Sequence, residues 1–271
     1  MKAWKITGER KKMKALSLIT VGVLAAVSLS AETVKFDLNK IKKPKNVTVS
    51  EDVITVTGSQ TIEFGKFQFD PKAKYTLSFE IKNGSTTKPA SYYAGYFCHD
   101  KKGRRIYHGN VTYNPNTFTT LTKDIKVGDK TVSIKDGSNW KKGCQIAFNA
   151  KADDSDLPNY TNFGEITNIE KKDGEWVLTF RKPLKTAYPA GTAVRNHRPG
   201  GYVYAIRSIP TADWMKKTNA TQGVNKRSKN NTIMNFWPGT ATIVPMILVN
   251  WDFKRNDTVS QIRNVSLTIE K

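Results

Sequence analysis

Histidine and cysteine are nearly missing from this chain, with three of one and two of the other in 271 residues. The histidines, His99, His108 and His197, have no metal-ligand spacing to one another or to a cysteine, so no metal centre is expected. Neither a Gly-x-Ser-x-Gly elbow nor a glycine-rich phosphate loop occurs. No strand pattern carries closely spaced carboxylates of the glycoside-hydrolase kind, although such groups need only meet in space. No catalytic residue and no cofactor is therefore assigned, and the chain is not read as an enzyme.

Long apolar runs are also scarce. The one candidate lies at the start, where Lys11, Lys12 and Lys14 precede the apolar stretch Ala15 to Val27 and the small residues Ser28-Leu29-Ser30. That order is the one of a secretory signal peptide, cut after Ser30 or Ala31. The stretch is shorter than the about 20 residues that a membrane span needs. Met13 also opens a complete leader. The rest of the chain is expected to be soluble once exported, in a secreted or cell-envelope location.

Acidic residues are in deficit: 23 Asp and Glu stand against 44 Lys and Arg, a formal net charge of +21. Residues 1–30 contain six of the basic residues and one Glu, so the remainder carries +16. The excess is spread along the chain, with clusters at Lys40 to Lys45, Lys101 to Arg105 and Lys226 to Lys229. One reading is a lysine-rich solvated surface that serves solubility. The other is attraction to an acidic polymer outside the cell, such as a uronate-bearing or sulfated glycan. Nucleic acid is not an expected partner, because an export leader is present and a binding motif is not.

What the chain has in quantity is alternation. In Tyr75 to Lys82, YTLSFEIK, residues Tyr75, Leu77, Phe79 and Ile81 should face a core while Thr76, Ser78, Glu80 and Lys82 face water. Val53 to Thr57, Thr61 to Phe64, Tyr92 to His99, Arg104 to His108 and Phe118 to Ile125 complete a first set of strands. The turn Asp100-Lys101-Lys102-Gly103 makes a hairpin within that set. A second set, residues 126–205, includes a hairpin about Lys171-Lys172-Asp173-Gly174. It is expected to form a small β-barrel or β-roll domain inserted in a loop of the host, an arrangement that chains tolerate.

The polar stretch Lys216 to Asn231 reads as loop. After it, Ala241 to Val249 is apolar on nearly both faces, and Val265 to Glu270 alternates. Residues 31–125 and 206–271 therefore complete one another as a discontinuous domain. Cys98 and Cys144 both sit on strand patterns, where a small buried thiol is the ordinary reading. In an oxidising compartment they could instead form one disulfide.

The outer segments resemble the jelly-roll carbohydrate-binding modules of the family 4/9 type. The likeness rests on YTLSFEIK at Tyr75 to Lys82, on YFCHDKKG at Tyr96 to Gly103 with its Asp-x-x-Gly turn, and on IRNVSL at Ile262 to Leu267. It implies an all-β fold, a two-sheet jelly-roll β-sandwich, with glycan bound by aromatic side chains and often a structural calcium ion. Where the family usually has an acidic pair before its last core strand, this chain has Arg263 and Asn264. A positive charge there opposes a hard cation that wants carboxylates, so no metal is expected.

Neutral-glycan sites use exposed flat aromatics with hydrogen-bonding groups beside them. Tyr92 and Tyr93 are neighbours on a strand, so one must point away from the core. If Tyr96 follows Tyr92 inward, Tyr93 is the outward one. Tyr107 beside His108, and Trp251 beside Asn250 and Asp252, complete the expected ligand-binding set of Tyr93, Tyr107 and Trp251. Trp140, Trp176, Trp214 and Trp237 sit at strand starts or turns and are expected to be structural. Two functions follow as expectations. One is an exported non-catalytic protein that recognises a polysaccharide or cell-surface glycan. The other is a structural or surface-assembly protein that docks other surface proteins and uses the jelly roll as a scaffold.

Overall fold

A computed structural model describes residues 31–201, 203–225, 235–251 and 256–271. The leader, the basic cluster Lys226 to Lys229 and Asp252 lie outside the described residues. The first strands are β1 (Ala31–Lys35), β2 (Val47–Ser50), β3 (Val53–Thr57), β4 (Gln60–Glu63), β5 (Phe67–Gln68), β6 (Lys74–Asn83), β7 (Ser91–His99) and β8 (Arg105–Ile106). One turn of helix, α1 (His108–Val111), follows. Then come β9 (Thr119–Thr120), β10 (Thr131–Ile134), β11 (Gln145–Phe148), β12 (Asn162–Phe163), β13 (Ile166–Lys172), β14 (Glu175–Phe180) and β15 (Ala193–His197). The chain returns through β16 (Val203–Ser208), β17 (Met215–Gln222), β18 (Thr242–Trp251) and β19 (Val259–Glu270). The protein is all-β, and every pairing between its strands is antiparallel.

Two six-stranded sheets face each other across the larger core. One runs β17-β6-β19-β3-β2 with β1 beside β19; the other runs β16-β7-β18-β4 with β5 and β8 attached. The period-2 pattern explains which side chains meet. Tyr75, Leu77, Phe79 and Ile81 of β6 are at most 1% exposed, and Val265, Leu267 and Ile269 of β19 are buried beside them. From the other sheet come Tyr92, Ala94, Tyr96 and Cys98 of β7 with Ile243, Ile247 and Val249 of β18. Full burial of one such Leu or Ile contributes about 1.5–3 kcal/mol. β18 is buried at every position from Thr242 to Asn250 because it lies between β7 and β4 with its outer face also covered.

The stretch Lys216 to Asn231 differs from its loop reading. Its first part is β17, paired along its whole length with β6 from Met215 opposite Ile81 to Gln222 opposite Lys74. It is the outermost strand of its sheet, so a polar sequence with two lysines suits it: charged side chains discourage another chain from adding to the edge. The turn of helix α1 was not anticipated either.

β9 to β15 form two smaller sheets, β10-β14-β13 and β12-β11-β15-β9. They enclose a second core built on Ile134, Ile146, Phe148, Leu178, Phe180 and Val194, where Phe148 stacks on Tyr188 at 3.9 Å and 9°. In the β13–β14 hairpin, Asp173 and Gly174 both have positive φ, 50° and 84°, the pair of left-handed residues that a two-residue hairpin turn demands. Leu121 and Ile125, read from the sequence as the end of the first set, pack into this second core. Val203 and Ala205, read as the end of the second set, belong to the larger one through the pairing of β16 with β7.

The seam between the cores is polar. Arg195 is 2% exposed, and its guanidinium donates to Asp154 Oδ1 at 2.7 Å, to Asp156 Oδ2 at 2.8 Å and to His197 Nε2 at 3.1 Å. It also lies over the Tyr113 ring, whose hydroxyl donates to Asp154 Oδ2 at 2.8 Å. His197 bonds through Nδ1 to the Gly109 carbonyl of α1 at 2.8 Å. Because Nδ1 faces an acceptor and Nε2 faces a donor, the ring is neutral with its proton on Nδ1. Burial, followed by the neighbouring Arg195 charge, pushes the pKa of His197 down to about 4.

Cys98 and Cys144 are separate buried free thiols. Burial pushes the Cys98 thiol up to about 11. Cys144, just before β11, accepts a hydrogen bond from Asn114 Nδ2 at 3.4 Å.

Candidate functional site

The second face of the β16-β7-β18-β4 sheet, turned away from the larger core, gathers aromatic and cationic side chains. Alternation puts Tyr93 and Phe97 of β7 there, because Tyr92 and Tyr96 point inward at 0% exposure. On β18 the outward residues are Thr242, Val244, Met246 and Leu248. Phe97, Val244, Met246 and Leu248 form a third apolar cluster with Tyr93 packed against it. These floor residues are themselves covered, so the accessible surface belongs to the side chains that ring them.

At one end Trp251 meets Tyr93, with ring centroids 6.5 Å apart and planes at 89°. Tyr204 of β16 also meets Tyr93, at 5.6 Å, and Arg207 lies over the same ring at 5.4 Å. Trp251 reaches this face through a break in strand alternation. Asn250 has φ 54°, and the register of β18 against β7 shifts between Leu248 and Trp251. That bulge turns Asn250 inward, where its amide donates to the carbonyls of Val56 at 3.1 Å and Gly58 at 3.0 Å and accepts from Ser260 Oγ at 2.7 Å. Bulges re-aim side chains in this way. Asn250 is thus a buried structural residue and not the sugar-contacting neighbour of Trp251.

At the other end, the Arg105 guanidinium lies 3.3 Å from the Phe97 ring centroid and 5.1 Å from that of Tyr107, which is 47% exposed. Tyr107 stands just ahead of α1, where its N–H donates to Asn110 Oδ1 at 2.7 Å. The structure therefore brings Tyr93 and Trp251 into contact and puts Tyr107 near the far end of the face, linked to them through Arg105 and Phe97. From Tyr93 to His99 at strand rise the face is roughly 20 Å long. Gly95 lies between the two ends, where the paired strand β16 comes too close for a side chain: a Cβ there would sit 1.8 Å from the Val203 carbonyl oxygen.

Sequence reasoning did not find Tyr204, Arg207, Arg105 and Thr242. Their relevance depends on which strands are neighbours; alternation beside inward Val203 and Ala205 marks Tyr204 alone, because Arg207 shares its face through the register shift between Tyr204 and Ile206. Trp140 and Trp237 are buried, as their places at turns imply. Trp214 has Arg263 at 4.1 Å and Lys82 at 4.9 Å over its ring on the other sheet.

The position expected to be short of calcium ligands is an ion pair. Arg263 Nε is 2.6 Å from Glu80 Oε2, and this bond from Arg263 holds the Glu80 carboxyl below its usual value. No group of three or more His, Cys, Asp or Glu side chains suited to a metal ion occurs among the described residues. A cavity of about 630 Å³ opens over the same sheet, lined by Lys35, Asp37, Asp52, Glu80, Lys216 and Asn264 among others. Its lining contains neither Trp nor Tyr, so sugar stacking favours the opposite sheet.

Compared with known proteins, the chain matches no family model and no curated sequence at a significant level.

Proposed function

We propose that this is an exported, non-catalytic polysaccharide-binding protein. The two larger sheets are read as a jelly roll, and β9 to β15 as a small β-barrel or β-roll domain inserted in one of its loops. The glycan lies along the outer face of β16-β7-β18-β4. The observation that carries this reading is the contact of Tyr93 with Trp251, flanked by Tyr204 and Arg207. A half-exposed indole set edge-on to a tyrosine offers two flat surfaces at an angle, which suits successive sugar rings that turn along a chain. Arg207 can donate to ring hydroxyls beside them. Affinity electrophoresis against a panel of neutral and anionic polysaccharides tests the proposal. Retardation that is lost in Trp251→Ala supports it, whereas unretarded migration in every gel refutes it.

A second reading, a surface-assembly protein, draws on apolar side chains exposed elsewhere. Val127 is 67% exposed, Ile209 54% and Phe118 46%. Concentration-dependent association in sedimentation, lost in Val127→Asp or Ile209→Asp and accompanied by no glycan binding, would favour it.

A further inference from the structure

Three side chains on the outer face keep hydrogen-bonding capacity that the described residues do not use. The register places Arg105 opposite His99, and His99 opposite Thr242, so they form one row across β8, β7 and β18. Among the described residues, Arg105 Nε, His99 Nδ1 and Thr242 Oγ1 are each buried without a hydrogen-bond partner. Thr242 is only 8% exposed. One such atom left unpaired costs about 1–3 kcal/mol, so three in a row call for an explanation.

The charge around the row is mixed, with Arg105 and Lys66 positive and Glu63 a negative charge that both Arg105 and His99 feel. Arg105 has no ion pair among the described residues, and its guanidinium carbon lies 3.3 Å from the Phe97 ring centroid. Lys66 adds a second positive charge that His99 feels, while Glu63 and Asp100 act in the opposite sense. Of these two acids, Asp100 is already engaged: its carboxylate accepts from Arg104 Nε at 2.8 Å and from the Tyr160 hydroxyl at 3.0 Å.

We propose that the Arg105–His99–Thr242 row is a subsite for an oxyanion carried by the bound polysaccharide, either a uronate carboxylate or a sulfate ester. The proposal rests on the glycan-binding reading of this face. A guanidinium presents two parallel N–H donors to two oxygens of such a group, a geometry that an ammonium lacks. A neutral His99 is able to carry its proton on Nδ1 and, with the Thr242 hydroxyl, to supply further donors. Tyr107, 47% exposed and 5.1 Å from the guanidinium, borders the row.

The test uses the full chain and four probes: oligogalacturonate, a sulfated galactan oligosaccharide, a neutral galactan oligosaccharide of equal length, and inorganic sulfate with chloride at matched ionic strength as control. Arg105→Met keeps the apolar cover on Phe97, and Thr242→Val keeps shape while removing the hydroxyl. Arg105→Met is expected to weaken at least one anionic oligosaccharide by about tenfold or more, and the neutral one by less than about twofold. The anionic probe that responds identifies carboxylate or sulfate. Sulfate is expected to shift the His99 imidazole signals in the parent protein and not in Arg105→Met. Equal losses for anionic and neutral oligosaccharides would overturn the subsite. So would His99 signals blind to sulfate together with anionic binding that neither variant changes. If no glycan binds but sulfate still shifts His99 in an Arg105-dependent way, the oxyanion subsite stands and the polysaccharide reading falls.

Discussion

The neutral His197 at the seam makes stability depend on pH in a way that one substitution isolates. In the folded protein the ring has a pKa of about 4 against an ordinary value of 6.5, because burial and Arg195 disfavour a second proton. The unfolded chain therefore takes up a proton between those values while the folded protein does not. Above pH 6.5 both states are neutral and the site adds no pH dependence. As pH falls from 6.5 toward 4 the unfolded state gains protons first and stability declines; below 4 both are charged and the decline stops. At about 1.4 kcal/mol per pH unit the whole span corresponds to about 3 kcal/mol, of which about 2.5 kcal/mol falls between pH 7.5 and 4.5. Urea unfolding of the parent and of His197→Gln across that range measures it. Glutamine can donate to the Gly109 carbonyl or accept from Arg195, and it does not titrate. With a denaturant slope of about 2–3 kcal/mol per molar, the parent midpoint should fall by about 1 M more than that of the variant. Parallel midpoints across the range would refute the neutral buried imidazole.

Other predictions follow from single contacts. Trp251→Ala should weaken polysaccharide retardation by about tenfold through loss of one stacking surface, with the unfolding midpoint nearly unchanged. Asn250→Ala should cost about 1–3 kcal/mol in urea unfolding, because it strands the Val56 and Gly58 carbonyls. It should also weaken glycan binding by releasing the bulge that aims Trp251. Gly95→Ala drives a methyl into the Val203 carbonyl and should cost about 3 kcal/mol or more, with β16 amides losing hydrogen-exchange protection before those of β6. Leu267→Ala should lower stability by about 2–5 kcal/mol, as a large-to-small change in a closed core.

The strands of the larger sheets were legible wherever one face was dry and the other wet. Tyr75 to Lys82 and Val265 to Glu270 alternate in the sequence and alternate in burial. β17 was hidden because its partner, β6, supplies the apolar side chains of the pairing while its own are mostly polar. The ends of the middle strand set were hidden for a related reason. Leu121 and Ile125 look the same whichever core they enter, and their bridges to Ile134 and Tyr188 distinguish them. In the candidate site, outward Tyr93 followed directly from inward Tyr92 and Tyr96. Trp251 was selected by type and place, but the φ of Asn250 that aims it leaves no trace in the alternation. The Arg105–His99–Thr242 row exists only through register between three strands, and no local pattern encodes it.

The two free thiols give the protein a built-in pair of unfolding clocks. Cys98 is a member of the larger core and Cys144 lies at the start of β11 beside the smaller one, so a thiol reagent can reach each only when the structure around it opens. Labelling of both at one common rate would mean that the two cores melt together through the Arg195 seam. Earlier modification of one would identify which core can open while the other remains shut, without any added probe.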